Sequence, residues 1–166
     1  GVTPEGPSLL VPAGGSMGLP GGIGPQAGTE RGPTPWLQRG RIEAGGLPVL
    51  LLHAPGLYDR PGNPYQDASG KPWGDAAEQF AWLGWAAALL GTGLDPSWVP
   101  EVVHGHDWHS GLGFAYLDQL AATGQRRPAT IFTVHNLAYQ GVFDAVVRER
   151  LGLPDALFHL QGLEFH

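Results

Sequence analysis

The chain has 166 residues, 42% of them hydrophobic, and a formal net charge of −6 from 15 acidic and 9 basic side chains. That length supports one domain with a real core, and the acidic balance excludes the basic footprint of a nucleic-acid or anionic-membrane binder. There is no cysteine, which excludes disulfide frameworks and thiolate metal sites and suits a cytosolic protein. No apolar run approaches the ~20 residues that span a bilayer.

Residues 1–46 are crowded with Gly and Pro, as in Pro12-Ala13-Gly14-Gly15 and Leu19-Pro20-Gly21-Gly22-Ile23-Gly24-Pro25. These residues oppose regular elements, so the segment reads as loop, apart from a short strand at Leu9-Leu10-Val11. So long a structureless stretch is expected to be mobile or loosely docked. The start, Gly1-Val2-Thr3-Pro4, has no basic region and no initiator Met, unlike a signal peptide. The chain reads as cut at both ends.

Regular structure begins at Leu47. Leu47-Pro48-Val49-Leu50-Leu51-Leu52-His53 is a continuous apolar run, as for a strand covered on both faces. Residues 58–65 form a turn-rich loop. Asp75, with Glu78 three residues on, reads as an acidic capping box. From Ala76 to Leu90 the polar side chains are Glu78 and Gln79, so the helix is buried nearly all round. Gly91 or Gly93 ends it. A strand over Glu101–His104, a helix from about Ser110 to Thr123, a strand over Ala129–Val134 and a helix from Phe143 to Leu151 follow. The alternation predicts an α/β fold with a parallel, doubly wound, Rossmann-like sheet.

Chemistry in such folds collects outside the carboxyl edge of the sheet. Two strands end there in histidine, at His104-Gly105-His106-Asp107-Trp108-His109 and at His135-Asn136. Asp107 can accept from sugar hydroxyls. His135 can donate to or accept from a hydroxyl or a phosphate oxygen. Trp108 offers a flat apolar surface to sugar C–H groups, and core or lid packing explains it equally well. Tyr65 can stack or hydrogen-bond, although loop anchoring is the commoner use.

A zinc-dependent hydrolase is an alternative. His104 and His106 share one strand face, and His135 or His53 from neighbouring strands would complete a ligand set. The helical His-x-x-x-His spacing is absent, and His104 alone is more simply a core histidine. Dinucleotide, P-loop and nucleophile-elbow motifs are also absent. Gly14-Gly15-Ser16-Met17-Gly18 follows no convincing strand.

Six segments, in order, resemble the N-terminal half of bacterial glycogen synthases and plant starch synthases. They are Tyr58-Asp59-Arg60-Pro61-Gly62-Asn63-Pro64-Tyr65, Phe80-Ala81-Trp82-Leu83-Gly84-Trp85, Gly93-Leu94-Asp95-Pro96, Val102 through His109, Phe132 through Gly141, and Gly162-Leu163-Glu164-Phe165. They cover residues 47–166, an incomplete starch synthase N-terminal lobe, whereas residues 1–46 match poorly. The resemblance implies a two-lobed GT-B glycosyltransferase that moves glucose from ADP-glucose to the non-reducing end of an α-1,4-glucan, with retention. It implies no metal and no cofactor, the nucleotide-sugar being a substrate. It implies that His135 lies beside the donor glucose and diphosphate and that Asp107 and Trp108 line the sugar site. Tyr65 would contact donor or acceptor, and Asn136 would face the cleft. The location implied is the cytoplasm, or the plastid in a plant.

Two family features have no counterpart. The Lys-x-Gly-Gly-Leu loop is missing, since no Lys precedes Lys71, and the C-terminal lobe, a necessary partner, lies outside the chain. Leaving-group stabilisation is mostly electrostatic, so these 166 residues alone are expected to be inactive. The competing reading is a non-catalytic glucan-binding lobe. The choice between ADP- and UDP-glucose rests on the resemblance.

Overall fold

The computed structural model describes residues 1–19, 22–26 and 34–163. The Glu164-Phe165 end of the last motif and the Pro20-Gly21 part of the loop reading lie outside them.

Among the described residues there are a pair of packed helices and two sheets of opposite character. The first is antiparallel and built on a strand that the composition conceals. Strand β1 (Val2–Pro4), strand β2 (Leu9–Leu10) and strand β4 (Pro48–His53) all pair with strand β3 (Trp36–Ile42). The loop reading of residues 1–46 is therefore corrected at β1 and β3. Arg39, Gly40 and Arg41 dilute the apolar alternation of β3, yet Leu37 and Gly40 are buried. Gly40 is required by its neighbour: a Cβ there would sit 2.7 Å from the Thr3 carbonyl oxygen.

The apolar run at 47–53 does form a strand, but in this antiparallel sheet. It runs in register from Trp36↔His53 to Arg41↔Pro48. Val49 to His53 are half-buried, not covered on both faces. The connection through Gly45 and Gly46, both at positive φ, returns the chain directly beside β3, as a short loop must. An apolar run reports burial; it does not say which partner supplies it.

The second sheet is parallel. Strand β5 (Val102–His106) and strand β6 (Ala129–Thr133) pair from Val102↔Ala129 to His106↔Thr133. Helix α2 (Asp107–Ala122) makes the crossover. Among the described residues this pair is the parallel part of a mixed α/β architecture, so the expected parallel sheet is realised in two strands.

Helix α1 (Ala76–Thr92) packs along α2 through two glycines. A Cβ on Gly84 would lie 2.6 Å from the Gly113 amide nitrogen, so the crossing excludes a side chain at Gly84, and one on Gly113 would meet the Gly84 carbonyl oxygen at 3.2 Å. Gly93, at φ 109, is the cap. Its N–H reaches the Leu90 carbonyl and that of Leu94 reaches Leu89, closing the last turn as a Schellman motif. The expected capping box does not form. Asp75 instead takes two bonds from the Arg60 guanidinium at 2.8 and 2.9 Å, and Glu78 lies 2.9 Å from Arg150. A strong cation near each carboxylate outcompetes a backbone N–H.

The core is centred on Trp85 and Tyr116, both fully buried and edge-on at 5.3 Å. The Trp85 indole N–H donates to the Pro12 carbonyl at 2.8 Å, and the Tyr116 hydroxyl donates to that of Leu151 at 2.8 Å. Each polar tip thus ties a distant segment to the helix pair. Asp95, also fully buried, pairs with Arg39 of β3 and accepts from the Ser97 N–H and hydroxyl at 2.9 and 2.7 Å. Its carboxyl is held below the ordinary value: desolvation opposes this, and the Ser97 and Arg39 bonds prevail. The helix expected over 143–151 is a 3-10 turn at Ala145–Arg148. Asp144 caps it, accepting from the Val146 N–H at 2.9 Å.

Candidate functional site

The parallel pairing brings the ends of β5 and β6 side by side. Helix α2 starts three residues earlier than the sequence suggests, so Asp107, Trp108 and His109 form its first turn. The strand becomes helix at Asp107, which has φ 55. Aspartate is one of the few side chains that adopt this left-handed backbone readily.

The reversal aims the Asp107 carboxylate across the sheet. Its Oδ1 accepts from the His135 backbone N–H at 2.7 Å. This bond holds the Asp107 carboxyl below its ordinary value; desolvation opposes it, and the Asn136 N–H and the charges of His135 and His109 reinforce it. The Asn136 side chain accepts from the Ala138 N–H at 2.9 Å, so it shapes the loop that follows β6.

The imidazoles form a column across the two strand ends. His135 Nε2 lies 3.0 Å from His106 Nδ1. The rings of His104 and His106 stack at 4.3 Å, as expected for two residues on one face. His104 Nε2 lies 2.8 Å from the Thr133 hydroxyl. His53 belongs to the other sheet, stacked on Trp36 at 4.9 Å and 6°. Among the described residues no three His, Asp or Glu side chains are arranged to hold a metal ion. His106 Nδ1 and His135 Nε2 face each other and His104 Nε2 faces a hydroxyl, so one nitrogen of each ring is engaged in a hydrogen bond.

Aromatic side chains stand beside this polar edge. Trp108 meets His109 at 4.2 Å, Phe80 edge-on at 4.7 Å and Phe143 at 5.8 Å. The Tyr65 hydroxyl lies 2.9 Å from His109 Nε2, which brings the loop over the start of α2. Partial burial keeps the His109 imidazole below its ordinary value, against the pull of Asp107. Gly141, at φ 63, lets the loop after β6 lie on the indole: a Cβ there would be 2.1 Å from the Trp108 ring. A cleft of about 550 Å³ opens from Phe80 and Trp108 past Phe132, Val134 and Phe143.

The structure thus brings Asp107 and His135 into direct contact, with Trp108 next in sequence, Tyr65 reaching in through His109, and Asn136 at the base of the loop. Phe80, His109 and Gly141 lie in the matching segments, but the sequence reading assigns none of them a place at the site. Phe80 was hidden because a helix apolar all round does not reveal which face meets the site. His109 was visible as the last member of the His-Asp-Trp-His run, three histidines being too many for one obvious use.

A polar pair and an aromatic wall stand at the carboxyl edge of parallel strands, the place where α/β domains take their ligands. The particular family follows from comparison. The family described as the starch synthase catalytic domain matches residues 26–166, and the chain belongs to it. It is 60% identical over 119 residues to a glycogen synthase of Albidiferax ferrireducens, covering 72% of this chain and 24% of that protein. It is 53% identical over 134 residues to one of Variovorax paradoxus, covering 78% and 27%. It is 43% identical over 153 residues to one of Paramagnetospirillum magneticum, covering 92% and 29%. The chain therefore spans about a quarter of the length of these relatives. Among the described residues no helix is long and apolar enough to cross a membrane.

Proposed function

We propose that this chain is the sugar-facing part of the N-terminal lobe of a GT-B glucosyltransferase, a glycogen synthase. The full-length protein would transfer glucose from ADP-glucose to the non-reducing end of an α-1,4-glucan, with retention. One observation carries the reading: the Asp107–His135 bond at the shared end of β5 and β6 stands beside Trp108 and its ring of aromatics. Sugars present hydroxyls at their rims and C–H groups on their faces. A carboxylate with an imidazole beside an indole suits both.

In this reading His135 stands against the donor glucose and diphosphate, and Asp107 accepts from sugar hydroxyls while fixing the His135 backbone. Trp108 and Tyr65 receive the sugar faces, and Asn136 orders the loop bordering the cleft. The reading calls for no metal and no cofactor. The cations for the leaving diphosphate come from the C-terminal lobe, so the isolated 166 residues do not turn over.

The test is made in the full-length protein. His135→Ala is expected to lower kcat about 10²–10³-fold, the usual cost of one preorganised transition-state donor, with the fold intact by circular dichroism. An unchanged kcat, with glucan binding still lost in Trp108→Ala, would replace catalysis by the glucan-binding reading. Robust glucose transfer by the 166 residues alone would overturn the division of labour between lobes.

A further inference from the structure

We propose that His106 is the positioning residue for His135, setting the tautomer in which that ring meets the substrate. The inference rests on the role given to His135 above and adds a partner to it.

The register places His106 opposite Thr133, so the chain two residues beyond Thr133 comes back over the end of β5. There the two rings meet at 3.0 Å, His106 Nδ1 to His135 Nε2. Two imidazole nitrogens at that distance share a single proton, one donating and the other accepting. Heavy atoms permit either placement; the ligand chemistry selects between them. A diphosphate oxygen can only accept. His135 offers it an N–H from Nδ1 when its Nε2 accepts from His106 Nδ1–H. The opposite placement would leave a bare lone pair at His135 Nδ1.

His106 is itself held in place. The His104 ring lies on it at 4.3 Å, and His104 is anchored on Thr133 at 2.8 Å. Asp107, the next residue, holds the His135 backbone at 2.7 Å. Adjacent residues at the end of a strand and the start of a helix thus grip His135 at two points, ring and main chain. Core packing does not account for His106, which is exposed while Gly105 beside it is buried. An exposed hydrogen bond adds little to stability, so the value of this one lies in orientation.

The experiment combines ring 15N NMR with kinetics on the full-length protein. In the wild type, His135 is expected to carry its proton on Nδ1, with Nε2 unprotonated and hydrogen-bonded. His106→Ala should release a mixture of tautomers. His106→Asn, whose amide N–H reaches the same side, should retain most of the Nδ1–H form. A tautomer mixture or an Nε2–H form in the wild type overturns the proposal.

In glucose transfer, His106→Ala should lower kcat roughly 10–100-fold, the range found when the outer partner that orients a metal-bound histidine is lost. The glucan KM should stay within about twofold, and Asn should recover most of the rate. In a His135→Ala background the same change should cost less than about twofold, because its target has gone. Full additivity overturns the proposal. Should His135→Ala alone keep the wild-type rate, the role of His135 fails, and the ring spectra still decide whether His106 sets its tautomer.

Discussion

The antiparallel and parallel sheets both contain a strand that ends in histidine, and the two histidines have different fates. His53 closes β4 opposite Trp36 in register, and its ring lies flat on that indole. It is used up inside its own sheet. His106 closes β5 opposite a threonine, so its cross-strand partner does not occupy its ring, and although His104 stacks on one face, a second histidine comes over the same edge and meets it nitrogen to nitrogen. An antiparallel hairpin places a partner beside each strand end. A parallel pair leaves its carboxyl ends open together, because the crossover helix departs from one of them. The residue type is the same; the topology decides which copy is available for chemistry.

The Asp95–Arg39 pair is a polar tie between the two halves, and breaking it should have the largest effect. Asp95→Ala removes the buried carboxylate that pairs with Arg39 of β3 and organises Ser97. It is expected to destabilise the protein by about 1.5–3 kcal/mol, the worth of hydrogen bonds to a charged group, because the Arg39 left behind is partly exposed; the readout is a lower urea midpoint by tryptophan fluorescence. An unchanged midpoint would mean that the halves do not depend on this link.

Gly141→Ala comes next and strikes the parallel half alone. The left-handed backbone at φ 63 costs a non-glycine residue, on the order of 1–2 kcal/mol. The added methyl must also push Trp108 aside. The glucan KM in the full-length protein should rise about tenfold, equivalent to a lost ~1.4 kcal/mol of binding. A normal KM would remove Trp108 from the sugar site.

His53→Ala sharpens the contrast. It removes a stacked pair worth about 0.5–1.5 kcal/mol and should leave glucose transfer within about twofold of the wild type. A large kinetic loss would show that the antiparallel sheet reaches the reaction after all.

The smallest effect concerns acid. The Asp107 carboxyl lies below its ordinary value of 3.8 because it accepts the His135 N–H. A carboxyl lowered on folding stabilises the fold above its unfolded value, and that contribution disappears as pH falls through the folded value. Protection of the His135 amide from hydrogen exchange should therefore be constant above pH 3.8 and decline only below it. Loss of protection at higher pH would show that the Asp107 bond is not what holds the strand end.

Much of the parallel half could be read from residues alone. Its strands and helices carry strong local signals: β-branched runs, an apolar helix, and a glycine at the helix end. The site residues Asp107, Trp108, His135 and Asn136 sit at strand ends that those signals already mark. The antiparallel half was poorly legible for the same physical reason. Its central strand β3 carries two arginines and a glycine, and the Gly40 that breaks the apolar pattern is there because the β1 backbone approaches it. A strand whose side chains are chosen by neighbours distant in sequence does not announce itself locally.

The sequence by itself determined the elements of residues 76–134, the polar and aromatic residues available at the strand ends, and the family to which they belong. Only the tertiary structure decided which of those residues meet. It paired β4 with β3 instead of the parallel strands, turned Asp107 onto the His135 backbone, set Phe80 from a buried helix against Trp108, and gave His106 rather than His53 a second imidazole. Local signals report how a segment is covered, through hydrophobicity and backbone preference. Which segment does the covering depends on register and chain reversal, and those follow from contacts between residues far apart in the chain.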